Sequence, residues 1–241
     1  DKVLSDVVWV IRKFRPDIIV CRFPIDGKGG HGHHTSSALL AEEAFDMAAD
    51  TSSFIEQLKY VSTWQAKRVV INTGRWWNKD ISASDPGVVA LDIGGYNTTL
   101  GISYNEMAAL SRSMHKTQGF GSTGKRGEYL EYFEYLKGDS AKKSLFENID
   151  FTWSRIVKNS QIEQQIKLIQ DSFDIDQPSN SINQLIKLRK LVLNVKDEYW
   201  KRIKLQEINQ LILHCAGVFL ETTTLSSKKA VGDSLSFNLE F

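Results

Sequence analysis

Cysteine is nearly absent: Cys21 and Cys215 are the only two. They lie far apart in apolar stretches, a spacing that excludes a disulfide framework or a zinc knuckle, so both read as core thiols. A charge excess is missing too. Thirty basic residues stand against twenty-nine acidic ones, which leaves no field to recruit nucleic acid or an anionic membrane surface. No apolar run approaches the roughly 20 residues that span a bilayer, so no membrane segment is expected in this chain. Internal repeats and low-complexity tracts are also lacking. What is present is 41% hydrophobic and 24% charged residues over 241 positions, enough to bury a core. Any partner must therefore be recognised by a local site.

The first residue is Asp1, and the opening stretch already carries Val3, Val7, Val8 and Ile11 at helical spacing. The expectation is that the natural protein begins upstream, where any targeting signal would lie. Pro16 ends this helix. Three short apolar runs follow, 17–21, 67–71 and 88–93, separated by helical patterns. Apolar throughout, they predict an α/β class: a Rossmann-like, mostly parallel sheet with helices on both faces, incomplete at its N-terminal strands. The covering helices are expected at 35–49, 104–114 and 126–136, the last from Leu130, Phe133 and Leu136 on one face. Beyond residue 150 long helical patterns predict a hairpin or small bundle, with a turn at 176–180. Strict alternation from Leu235 to Phe241 predicts a half-buried strand. The expected domains are thus 1–150, a helical segment 151–228, and the first strand of a β-rich domain at 229–241.

Chemistry concentrates in Asp26-Gly27-Lys28-Gly29-Gly30-His31-Gly32-His33-His34-Thr35. This glycine-rich loop leaves a strand and feeds a helix, which is where α/β sheets build sites. Three of the five histidines fall within four positions, and imidazole suits zinc. A surface cluster without a metal is the competing reading, because such a loop does not by itself complete a four-coordinate site.

The run from Asp26 to His34 resembles the second signature of PIG-L (LmbE-like) deacetylases, a glycine followed by His-x-x-His. The segment from Ala108 through His115-Lys116-Thr117-Gln118 resembles a later element of the same family, with a longer interval before the histidine. The resemblance covers about the first 150 residues and implies a zinc-dependent N-deacetylase of the N-acetylglucosamine type. It implies His34 as zinc ligand and His31 as the residue that polarises the carbonyl or protonates the leaving amine. His33 stands where relatives usually carry Asp. The family's first signature, His-Pro-Asp-Asp-Glu, supplies the remaining ligands and the general base, and this chain has no His-Pro dipeptide. This chain alone is therefore expected to bind zinc weakly and to be inactive.

Sugar recognition favours aromatic faces and fixed polar groups on loops after strands. That directs attention to Trp76 and Trp77, to Tyr96, and to Arg22, Asp26, His115 and Gln118. Each has a plain alternative: packing for the aromatics, a local ion pair for Arg22 and Asp26, a helix C-cap for His115. Gly119 to Arg126 fits G-x-G-x-x-G, but a helix precedes it where a nucleotide loop needs a strand, so it reads as a loop over the site. Asp171, Asp174 and Asp176 lack the glycine and terminal Glu of a calcium loop and read as solvated. Two expectations from different classes follow: a zinc amidohydrolase acting on an N-acetylated sugar, or a non-catalytic carbohydrate- or partner-binding module on a degenerate deacetylase fold. An incomplete sheet would also leave an exposed edge through which copies could self-associate.

Overall fold

The computed structural model describes residues 2–74, 78–117, 121–158 and 160–241, and the chain divides into two compact units, Asp1–Ile149 and Asp150–Phe241. The first unit opens with helix α1 (Lys2–Phe14), which buries Leu4, Val8 and Ile11, an i, i+4, i+7 stripe. Val3, read from the sequence as part of that face, is mostly exposed, and Leu4 takes its place. Arg15 turns to positive φ ahead of Pro16 and stops the helix. Strand β1 (Ile18–Cys21) follows. Residues 22–31 then lead into helix α2 (Gly32–Ala49), which buries Ala38, Ala44, Phe45 and Ala48. Small residues on this stripe let α2 lie close to both α1 and the sheet.

Next come β2 (Arg68–Thr73), β3 (Val88–Asp92), a small hairpin of β4 (Tyr96–Asn97) and β5 (Ile102–Ser103), α3 (Tyr104–Ser113) and β6 (Leu130–Gly138). The Ser103 hydroxyl accepts from the Glu106 amide while the Glu106 carboxylate accepts from the Ser103 amide, a capping box that starts α3. The main sheet has the order β1-β2-β6-β3. β1 and β2 are parallel, whereas β6 runs antiparallel to both β2 and β3.

This overturns the expected mostly parallel, Rossmann-like sheet: the domain is α/β, but one strand pair of three is parallel. The error lies in the segment 126–136. Its Leu130, Phe133 and Leu136 share a helical spacing, yet the segment is rich in Tyr and Phe, which favour strands. It forms β6 and separates β2 from β3. The register slips between Val69 and Val70, leaving Leu136 without a partner on β2. Such a bulge breaks the two-residue alternation by which a strand is recognised. Gly138, at positive φ, closes β6 where an added Cβ would lie 2.4 Å from the Lys67 carbonyl oxygen.

Among the described residues, helices on both faces of the sheet are not found either. α1 and α2 cover one face through Ile19, Cys21, Val69 and Ile71. On the other face Ile18, Val70, Val89 and Phe133 pack against Ala141 and Leu145 in the irregular stretch after β6. A short chain segment does there what a helix was expected to do.

Arg12 is buried in the first unit at 1% exposure. Its guanidinium donates to the carbonyls of Met47, Ala48, Asp50, Ser53 and Phe54 and to Gln57 Oε1, at 2.7–3.3 Å. These include carbonyls at the C-terminal end of α2, which have no partner within the helix.

The second unit contains α4 (Ser160–Ser172), α5 (Ile182–Leu193), α6 (Glu198–Ala216) and a hairpin of β7 (Glu221–Thr223) with β8 (Asn238–Glu240). Ile162, Leu188, Val192, Val195 and Ile208 form its core. Asp197 caps α6 by accepting from the Trp200 amide, and Gly217 at φ 62° ends it. Asp174 and Asp176 lie in the link from α4 to α5, and Asp171, at the end of α4, pairs with Lys167 one turn back. Among the described residues, no helix is long and apolar enough to cross a membrane.

Candidate functional site

The histidine loop sits where β1 ends and α2 begins. Gly27 and Gly30 take φ of 82° and 81°, a region L side chains avoid, and the Gly30 amide donates to the Gly27 carbonyl at 3.2 Å. This tight turn delivers His31 as the N-cap of α2, with His33 and His34 in its first turn. The three rings cluster. Centroids of His31 and His34 lie 5.1 Å apart edge to face, those of His33 and His34 4.3 Å apart, and those of His31 and His33 5.6 Å apart.

His34 is the best-held of the three. Its Nδ1 lies 3.2 Å from the Gly29 carbonyl oxygen. A carbonyl only accepts, so Nδ1 is the donor; in the neutral ring this leaves Nε2 as the acceptor nitrogen. The ring also stacks on Phe23 at 3.8 Å with an interplanar angle of 1°. His31 and His33 are exposed, while His34 is half-buried. One imidazole is thus held in place beside two solvent-facing ones. Among the described residues, no group of three or more His, Cys, Asp or Glu side chains is arranged to hold a metal ion.

The other expected site residues are dispersed. Asp26 closes its own loop: its carboxylate accepts from the Lys28 amide at 3.1 Å and pairs with Lys28 Nζ at 2.7 Å. The Lys28 ammonium holds the Asp26 carboxyl below the usual carboxylate range. Arg22, just after β1, donates from Nη1 to Asn72 Oδ1 and lies 4.0 Å from Glu131 Oε2. His115 is exposed beyond α3, and neither a ring contact nor a hydrogen bond joins its side chain to the histidine cluster among the described residues. Tyr96 is exposed, with the Arg126 guanidinium 5.4 Å from its ring centroid. Trp76, Trp77 and Gln118 lie outside the described residues. The described part of the glycine loop, from Gly121 on, is strapped to α3: Ser103 Oγ donates to the Lys125 carbonyl at 2.8 Å and Arg126 Nε pairs with Glu106 at 3.0 Å.

Sequence reasoning missed Phe23, Asn72 and Glu131. Phe23 carried a weak signal, as an aromatic at a strand end beside a histidine loop. Asn72 and Glu131 carried none, because their link to Arg22 spans 50 and 109 positions and depends on β6 being a strand.

Compared with protein-family models, with curated proteins and with solved structures, the chain has no match.

Proposed function

We propose that the β1–α2 junction is part of a zinc-dependent amide hydrolase site that removes the acetyl group from an N-acetylglucosamine-type sugar or conjugate. The observation that supports this reading is His34, which is oriented through Nδ1 by a backbone carbonyl, braced by Phe23 and left with Nε2 for a metal. Metal-ligating histidines are commonly held in this way by their second nitrogen. Zinc, when bound, polarises the acetamide carbonyl and acidifies a bound water. His31, at the exposed N-cap with its ring centroid 5.1 Å from that of His34, would hold a proton at an imidazole nitrogen for the departing amine. His33 borders both rings.

One imidazole is a single member of a shell that in catalytic zinc sites takes three protein ligands. Zinc binding by this chain alone is therefore expected to be weak. The test is calorimetric titration of zinc into the chain and its His34→Ala variant, followed by an assay for acetate released from N-acetylglucosamine. Uptake weaker than micromolar that His34→Ala abolishes, with little acetate formed, is the expected outcome. Zinc heat that survives His34→Ala would remove the basis of the reading. Acetate release that depends on zinc and is lost in His31→Ala would extend it to activity in this chain itself.

A further inference from the structure

We propose that a cavity between α1 and the 3₁₀ turn Ile55–Lys59 is a binding site for a free organic ammonium ion with a quaternary head; the proposal is independent of the metal reading of the histidine loop. The cavity has a volume of about 350 Å³ and is lined by Ser5, Asp6 and Trp9 from α1 and by Glu56, Gln57 and Tyr60 from the turn and the residue that ends it. A volume of this order suits a small ligand.

The floor is made of residues that are already fixed. Gln57 is buried; its Nε2 donates to the Ser5 carbonyl at 2.8 Å and to Ser5 Oγ at 3.0 Å, and its Oε1 accepts from Arg12 Nη1 at 3.1 Å. Phe54, at φ 50°, swings the chain into the turn, and its carbonyl accepts from the same Arg12 nitrogen at 3.3 Å. The Arg12 network thus holds the turn against α1, one helical turn before Trp9. Trp9 and Tyr60 form a corner, with ring centroids 6.2 Å apart and planes at 71°. The face of an aromatic ring attracts a cation within about 6 Å of its centroid. Lys13, which does not line the cavity, places its Nζ 6.0 Å from the Trp9 centroid, so this ring already accepts positive charge.

The charges that line the cavity have one sign. Asp6 and Glu56 are both exposed, and among the described residues neither carboxylate makes a hydrogen bond or a salt bridge. Arg12, whose charge interacts with Glu56, spends its donors on backbone carbonyls and on Gln57. Two carboxylates beside two aromatic rings favour a cation and repel an anion. A quaternary ammonium fits better than a primary one, because its methyl groups bury apolar surface against the rings and it has no N–H to leave unpaired there.

The experiment is an NMR titration of choline chloride into the chain, followed at the Trp9 indole N–H, which Trp9→Phe identifies by its disappearance. The uncharged isostere 3,3-dimethyl-1-butanol, at the same ionic strength, is the control. The expected result is a saturable shift with choline and about tenfold weaker binding of the alcohol. Asp6→Asn, Glu56→Gln and Tyr60→Ala should each weaken choline binding about two- to fivefold with the melting temperature unchanged. Those three side chains are exposed, so the test does not depend on a variant that disturbs the packing of α1. Equal affinity for choline and the alcohol, the lack of a saturable shift, or choline affinity indifferent to all three substitutions overturns the site. A response to phosphatidylcholine vesicles with none to free choline overturns it in favour of a lipid headgroup.

Discussion

Cys21 and His34 show how much a residue's chemistry depends on a few neighbours. Cys21 lies among Ala38, Phe45, Val69 and Ile71 at 6% exposure. Burial, with a smaller contribution from the Glu42 carboxylate, pushes its thiol up from 9.0 to about 11. The thiolate is the reactive form. Alkylation at pH 8 is therefore expected to modify the half-buried Cys215 and spare Cys21 until the chain is unfolded, as mass spectrometry of iodoacetamide-treated protein would show. Equal labelling of both thiols under native conditions would contradict this. The sign of the linkage follows. The folded thiol ionises later than the unfolded one, so its stabilising effect is complete below pH 9 and is lost as pH rises toward 11. For His34 the neighbours act on orientation: the Gly29 carbonyl and the Phe23 ring hold the imidazole in place.

At the scale of elements, the contact of α1 with α2 turns on Arg12. Its guanidinium supplies hydrogen bonds to five backbone carbonyls and one amide oxygen, and burial lowers its pKa despite the opposing pull of Asp50 and Glu56. Lysine keeps the charge but has three donors and no planar fork. Arg12→Lys is expected to cost about 2–3 kcal/mol, because the Asp50 and Ser53 carbonyls and Gln57 Oε1 lose the fork that serves them together. Urea denaturation followed by circular dichroism would measure it, and a loss under 1 kcal/mol would show that the network is not needed. The strand β6 illustrates a different dependence. Its identity comes less from its own alternation than from the β2 and β3 partners on either side, and its bulge and terminal Gly138 fit it to the chain at Lys67.

For the whole molecule, the carboxyl groups held below their ordinary range fall mostly in the first unit. Asp26, Asp50, Asp92, Glu106 and Glu147 in the first unit all have carboxyl pKa values held low by hydrogen bonds and cations, whereas in the second this holds for Asp150 among the described residues. Asp50 falls furthest, to about 2, chiefly through hydrogen bonds from the hydroxyl and amide of Ser52 and from the Ser53 hydroxyl. A carboxyl whose folded pKa is depressed stabilises the fold above its unfolded value, and that contribution is lost as pH falls through the folded one. The window here runs from about pH 4 down to about 2. The first unit should therefore open before the second on acidification, and pepsin digestion between pH 4 and 2 should release peptides from residues 1–149 first. Peptides from 150–241 appearing first would refute the assignment.

Some features could be read from the sequence because they depend on residues close along the chain. The helices near 2–14, 35–49 and 104–113, the apolar strand runs and the histidine loop are of this kind, since a helical stripe or a glycine turn is decided within a few positions. The sheet's direction and order could not be read in this way. They depend on β6 inserting between β2 and β3, and a bulged strand with apolar residues three apart mimics a helix until its partners are known. The site divides along the same line. His31, His33 and His34 were legible because one turn carries them all. The links of Asn72 and Glu131 to Arg22 appear only when three strands are laid side by side, because a hydrogen bond between side chains depends on distance in space and leaves no periodic trace in the sequence.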